Sequence, residues 1–163
     1  MLLLIIRHAD AGDRDPGQWP DDTQRPLSDK GRKTHRRVSR ALGRLELVPE
    51  LLLTSPWVRA AQTAEILAEE LKLDRPPVPS TALADAPELS RLADDLGKPP
   101  SGAIVAMVGH SPWMEELGAI LLGGTAASVR IDFPKSGVLG IDLAELAPAA
   151  GELRFLLRPK MLT

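Results

Sequence analysis

Leu2-Leu3-Leu4-Ile5-Ile6-Arg7-His8-Ala9-Asp10-Ala11 is the stretch on which the reading of the whole chain turns. Five consecutive branched aliphatic residues leave no face that tolerates water. The run therefore reads as a central strand of a parallel sheet, covered on both sides. It stops abruptly at Arg7 and His8. A cation and an imidazole at the C-terminal end of a buried strand stand where open α/β sheets hold their ligands, in the crevice beyond the strand ends. Taken alone, the pair fits equally well a strand that simply emerges into solvent.

Two further runs repeat the pattern. Leu51-Leu52-Leu53 follows the helix-ending Pro49 and runs into Thr54-Ser55-Pro56-Trp57-Val58-Arg59, and Ala103-Ile104-Val105-Ala106-Met107-Val108 runs into Gly109-His110-Ser111-Pro112-Trp113. In both, Ser-Pro predicts a helix start, with the serine as cap and the proline in the first turn, where its missing N–H costs nothing. Arg59 then falls in a first helical turn.

The segments between supply the covering layers. Gly12 to Gln24 is rich in Asp, Gly and Pro and reads as a loop, long enough to lie over something. Ser28 is a fair N-cap for a helix whose apolar stripe is Val38, Ala41, Leu42 and Leu45. A second helix carries Ala60, Ala64, Leu67, Ala68 and Leu71 on one face, up to the Pro76-Pro77 breaker. Val78 to Leu83 suggests a short strand, and Glu88 to Leu96 a modest helix closed by Gly97. After His110 a helix points Trp113, Leu117, Ile120 and Leu121 inward. Val138–Leu143 and Glu152–Leu157 suit an edge hairpin.

Bulk properties narrow the class. At 163 residues, 44% hydrophobic and 26% charged with mean hydropathy −0.07, the chain suits one globular domain. No run approaches the roughly 18 apolar residues of a membrane span, and Leu2–Ile6 is too short for a signal-peptide core, so the expected location is the cytoplasm. The absence of cysteine removes disulfides, thiolate catalysis and cysteine-bound metals. A net charge of −2 and the lack of tyrosine argue against nucleic acid as partner. The basic cluster Arg32, Lys33, Arg36, Arg37 and Arg40 reads as a solvated helix face, open to a local anionic partner.

If the three strand ends meet, they assemble Arg7, His8, Ser55, Arg59 and His110, with Asp10 the one carboxylate in comparable positions. Guanidinium forks match phosphate oxygens bidentately, and helix N-termini add N–H donors and a favourable dipole. Arg7, Arg59, His110 and Ser55 are thus candidate phosphate ligands. His8, its pKa pushed down by the neighbouring arginines, is a candidate neutral nucleophile. The fixed cations can stabilise the charge of a loose phosphoryl-transfer transition state without a metal or other cofactor. A metal site is the rival use of the histidines, but two imidazoles beside two arginines are a poor ligand set. His35, on the apolar stripe, reads as a partly buried packing residue.

Arg7-His8-Ala9 is similar to the Arg-His-Gly signature of the histidine phosphatase (phosphoglycerate mutase-like) superfamily. Thr54-Ser55-Pro56, Arg59-Ala60 and Gln62-Thr63-Ala64 resemble its second motif, and Gly109-His110 its third. The short chain, with Arg25-Pro26-Leu27-Ser28, Gly31-Arg32 and the closing Arg158-Pro159-Lys160-Met161-Leu162, looks most like the compact SixA-type phosphohistidine phosphatases. The resemblance covers nearly the whole chain and implies a three-layer α/β/α sandwich around a mostly parallel sheet. It further implies one domain over 1–163 without a large cap insertion, and transient phosphorylation of His8 in a pocket formed by Arg7, Arg59 and His110. Ala9 departs from the signature glycine, which matters only if φ is positive there. Arg14 or its neighbours stand where the sugar-phosphate enzymes of the family have an asparagine.

The substrate question rests on the leaving group. Phosphomonoesterases need a general acid for the departing alkoxide, and the matching region offers Asp85 and Glu88, either of which also reads as a loop or helix-capping carboxylate. An imidazole leaving group needs less help, and a site without a large cap admits a protein surface. The expected substrate is therefore protein phosphohistidine, for example on a histidine phosphotransfer domain. The alternatives are a small-molecule phosphomonoesterase acting on sugar or nucleotide phosphates, and a non-catalytic phosphoprotein-binding module.

Overall fold

A computed structural model describes residues 1–162. Its centre is a six-stranded sheet in the order β3-β2-β4-β1-β5-β6. The strands are β1 (Leu2–Arg7), β2 (Leu51–Thr54), β3 (Val78–Pro79), β4 (Ile104–Gly109), β5 (Val138–Leu143) and β6 (Gly151–Leu157). β1, β4, β2 and β3 run parallel, whereas β5 pairs antiparallel with β1 and β6 antiparallel with β5. The edge hairpin is therefore present, and β1 lies inside the sheet, one side parallel and the other antiparallel.

The aliphatic run divides between two cores because strand side chains alternate. Leu3 and Ile5 pack with Leu92, Leu96, Met114 and Leu117, while Leu4 and Ile6 pack with Val38, Leu42, Ala60, Ala64 and Leu67. Helices α1 (Asp29–Arg44) and α2 (Val58–Leu71) thus cover one face. Helices α3 (Leu89–Leu96) and α4 (Trp113–Gly123) cover the other, completing the three-layer α/β/α sandwich. None of these helices is long and apolar enough to cross a membrane, among the described residues.

Local expectations hold in part. Ser28 caps α1, its Oγ accepting from Gly31 N–H at 3.0 Å. Neither Ser-Pro pair caps its helix. α2 begins two residues beyond Pro56, with Trp57 at the cap position, and Pro112 occupies that position on α4. In the first case Ser55 Oγ bonds His110 Nε2 at 2.8 Å and accepts from Trp57 N–H at 3.3 Å, one residue ahead of the helix. Arg59 still lies in the first turn of α2. Leu45 is 52% exposed because it falls at the C-cap of α1, beyond the stripe. On α4, Trp113 and Ile120 are only half-buried, and Met114 takes the inward place beside Leu117 and Leu121. The stretch from Val78 to Leu83 is a two-residue strand followed by a 3-10 turn, Thr81–Leu83.

The basic face of α1 also divides. Arg36 and Arg40 bond Glu70 of α2, each at 2.7 Å, so they tie the two helices together. Ion pairs of solvated side chains such as these contribute little to stability.

Candidate active site

Register brings the three polar strand ends together: Arg7 lies opposite Gly109, and Thr54 opposite Val108. His8 and His110 follow directly, and their rings sit 5.2 Å apart, centroid to centroid. Arg59, 4% exposed, reaches in from α2. Arg7, His8, Ser55, Arg59 and His110 form one cluster, as their positions in the sequence suggested.

Hydrogen bonds fix the state of His8. Its Nδ1 lies 2.6 Å from Ala9 O. A carbonyl only accepts, so Nδ1 carries the proton and Nε2 presents its lone pair, to which Arg59 Nε–H donates at 3.3 Å. The backbone holds the residue just as firmly. His8 N–H donates to Gly109 O at 2.9 Å, and Ala9 N–H donates to Thr63 Oγ1 at 3.0 Å, whose hydroxyl in turn donates to Arg59 O at 2.7 Å. Thr63 thus couples the segment after β1 to the turn that carries Arg59. Ala9 is fully buried and is not among the residues with positive φ, so the signature position accepts a methyl group without strain.

Burial depresses the His8 pKa to about 4, and Arg59, Arg7 and Lys135 push it the same way. Desolvation, more than the neighbouring arginines, keeps the ring neutral. His110 is lowered further, to about 3, by burial first and then by His8 and Arg59. Both imidazoles are neutral at pH 7. Two buried polar atoms of the cluster, Arg7 Nε and His110 Nδ1, have no hydrogen-bond partner in the protein. Such atoms cost roughly 1–3 kcal/mol each until a ligand satisfies them. Arg7 is otherwise anchored through Nη1, which donates to Phe133 O at 2.7 Å.

Several participants had no clear signal in the sequence. The long loop does lie over the cluster, and its 3-10 turn Asp22–Gln24 brings in a carboxylate besides Asp10. Arg59 donates to Asp22 O at 2.7 Å, and its Nη2 lies 3.2 Å from Asp22 Oδ2. Arg25 Nε, 2.8 Å from Asp22 Oδ1, steadies that carboxylate. Trp57 lies 4.3 Å from the His110 ring, with Arg59 Cζ 4.7 Å from its own centroid, so one indole supports both groups. Its place two residues before Arg59 was the available clue. Asp10 turns away from the cluster, held by Lys135 at 2.5 Å and by Ser28 Oγ at 2.7 Å, which lower its pKa to about 2.

Asp85 and Glu88 have only local hydrogen-bond partners. Both are exposed; Asp85 Oδ1 accepts from Ala86 N–H at 2.8 Å, and Glu88 Oε1 accepts from Ser90 Oγ at 3.1 Å. These are the local partners of loop and helix-end carboxylates. His35 is fully buried rather than partly so, its Nδ1 3.2 Å from Ser136 Oγ. Ser136, at φ 60, approaches the end of β1 from behind, its N–H shared between Arg7 O at 3.1 Å and His8 O at 3.3 Å. Among the described residues, no group of three or more His, Cys, Asp or Glu side chains is placed to hold a metal ion.

Comparison with known proteins gives the same picture. Residues 3–86 match the sequence profile of the histidine phosphatase superfamily (branch 1). An uncharacterized protein of a Picosynechococcus strain is 34% identical, with 99% of each chain covered. Among solved structures, the protein histidine phosphatase SixA complexed with tungstate superposes with a TM-score of 0.84 at 25% identity, over 100% of both chains. A phosphoserine phosphatase mutant from Entamoeba histolytica shares the fold at 14% identity, with a TM-score of 0.71 over 99% of each chain. The same holds for a mycobacterial glucosyl-3-phosphoglycerate phosphatase, at 17% identity and a TM-score of 0.67 over 94% of this chain and 96% of that one. By sequence over half its length and by fold over all of it, this chain belongs to the histidine phosphatase superfamily.

Proposed function

We propose that the protein hydrolyses protein phosphohistidine through a covalent intermediate on His8. The observation that carries this reading is the His8 tautomer: Nδ1–H is bound to Ala9 O, so a neutral Nε2 lone pair stands among fixed cations.

In the first step His8 Nε2 attacks phosphorus. A new N–P bond forms as the substrate N–P bond breaks, and the electron pair departs on the substrate imidazole. Charge on the three equatorial oxygens meets Arg7, Arg59 and His110, whose unsatisfied Arg7 Nε and His110 Nδ1 gain partners in the process. His110 is held in place by Ser55 Oγ and by Trp57. In the second step water attacks the phosphorylated His8, releasing inorganic phosphate and restoring the imidazole. Arg59 Nε–H, which donates to the Nε2 lone pair in the resting protein, releases it as the N–P bond forms and is then free to meet a phosphoryl oxygen.

The choice of a nitrogen leaving group rests on the carboxylates. Asp85 and Glu88 are exposed with local partners, which leaves an alkoxide without an obvious proton donor. Transfer between two imidazoles is nearly balanced and needs no strong acid. The SixA likeness supports the same substrate, while the fold shared with phosphatases of small molecules keeps the monoesterase as the alternative. The test offers the wild-type enzyme a phosphorylated histidine phosphotransfer domain and a panel of sugar, nucleotide and serine phosphomonoesters. kcat/KM is expected to be highest for the phosphohistidine protein. Faster turnover of any monoester, with Asp85→Asn or Glu88→Gln slowing it sharply, would replace this reading with the alternative.

A further inference from the structure

An open cleft of about 700 Å³ flanks the cluster, and the proposed chemistry does not use it. Its walls carry Lys30, Arg37, Lys135, Arg158 and Lys160 against a single carboxylate, Asp10. In a chain of net charge −2 this is a concentrated positive field. The cations come from separate places: the first half of α1, the loop before β5, and the segment after β6. Some are neutralised, Lys135 by Asp10 and Arg158 by Asp132 at 2.8 Å. Lys30 and Arg37 have no ion pair among the described residues, although Arg36 and Arg40 of the same helix are both paired with Glu70. Two of the helix cations thus tie α1 to α2, while Lys30 and Arg37 line the cleft.

The cleft adjoins the catalytic segment through Asp10 and Ser136, although none of Arg7, His8, Arg59 or His110 lines it. Lys135 is close enough to bear on the His8 pKa, and the next residue, Ser136, donates its N–H to the carbonyls of Arg7 and His8. The floor is apolar, with Pro134, Pro159 and Met161, the last 65% exposed. Small anions are usually held by convergent, buried donors. Here Lys30, Arg37, Arg158 and Lys160 are all exposed, arranged around an apolar floor, which is the composition of a protein-docking surface with a charged rim.

We infer that this cleft docks an acidic, partly apolar face of the phosphohistidine-bearing protein, so that charge complementarity beside the site presents the phosphoryl group to His8. The inference rests on the substrate reading above and adds to it the chemistry of the partner.

The test is the double variant K30E/R37E, which touches no residue of the catalytic cluster. Glu at position 30, in the first turn of α1, is favoured by the helix dipole, and circular dichroism checks that the variant is folded. Two substrates are compared at low ionic strength: a phosphorylated histidine phosphotransfer domain with an acidic face, and free phosphohistidine. The expected result for the protein substrate is a fall in kcat/KM of about 10- to 100-fold, carried mainly by KM, with a flattened salt dependence. Turnover of free phosphohistidine stays within about twofold. Unchanged turnover of the phosphoprotein overturns the inference, as does an equal loss on both substrates, which would make the cleft a small-ligand subsite. Failure of the underlying reading shows separately, in the wild-type enzyme preferring monoesters before any variant is made, and it would take the docking inference with it.

Discussion

His8 concentrates the account at the scale of a single residue. Its imidazole is 8% exposed and flanked by two guanidiniums, both of which disfavour a second proton, while the Nδ1–H bond to Ala9 O favours one without offsetting the burial. The sign follows directly: with a pKa lowered from 6.5 to about 4, the ring is neutral from pH 7 down to near pH 5 and loses its nucleophilic lone pair only below that. An NMR titration of ¹⁵N-labelled protein should find His8 as the Nδ1–H tautomer, still unprotonated at pH 5.5; a midpoint near 6.5 would contradict the assignment. The same shift bears on stability. The unfolded chain takes up protons at 6.5 that the folded chain refuses at His8 and at the fully buried His35, whose pKa is also lowered to about 4. Their stabilisation is therefore complete above pH 6.5 and is lost as pH falls toward 4. By linkage this is worth up to about 3 kcal/mol for each ring. Urea midpoints measured between pH 7 and pH 5 should fall accordingly, and a flat profile would show that the rings are not held neutral by the fold.

At the scale of elements, the site is built by a few contacts that lock helix starts against strand ends. The tightest is Gly31, in the first turn of α1, where a Cβ would fall 2.0 Å from Asp10 O. Because Asp10 lies two residues past His8, Gly31→Ala must push α1 away from the catalytic segment. Overpacking of this kind costs ~1–3 kcal/mol, and displacing His8 by even part of an ångström should lower kcat/KM at least about tenfold. Urea unfolding and steady-state kinetics of the variant check both effects, and wild-type values for both would show that α1 does not set the position of the segment. Strands and helix faces were legible because burial on both sides leaves an aliphatic run and burial on one side leaves a helical stripe, as in Leu2–Ile6 and in Val38, Ala41 and Leu42. The Ser-Pro starts were misread for a physical reason. Ser55 meets only Trp57 N–H, ahead of α2, and also bonds a histidine 55 residues away; no local pattern announces a partner so distant.

At the scale of the whole molecule, function depends on topology. β4 inserts between β2 and β1, so three segments separated by about half the chain end side by side. The sequence shows three polar strand ends, and a parallel sheet suffices to predict that they meet. Asp22, Arg25 and Trp57 were not foreseen, because a loop with no period gives no hint of which side chain turns inward. The docking cleft was also hidden: the basic residues of α1 look alike in sequence, and only the packing of α2 separates Arg36 and Arg40, paired with Glu70, from Arg37, which has no ion pair among the described residues. The account as a whole stands on His8 as the atom that receives the phosphoryl group. The most direct measurement is a rapid-quench experiment with a ³²P-labelled phosphohistidine protein, followed by peptide mapping of the enzyme. The account predicts a transient, acid-labile, alkali-stable label on His8, absent from His8→Ala. Phosphate released at full rate with no label on His8, or a label that persists in His8→Ala, would contradict it.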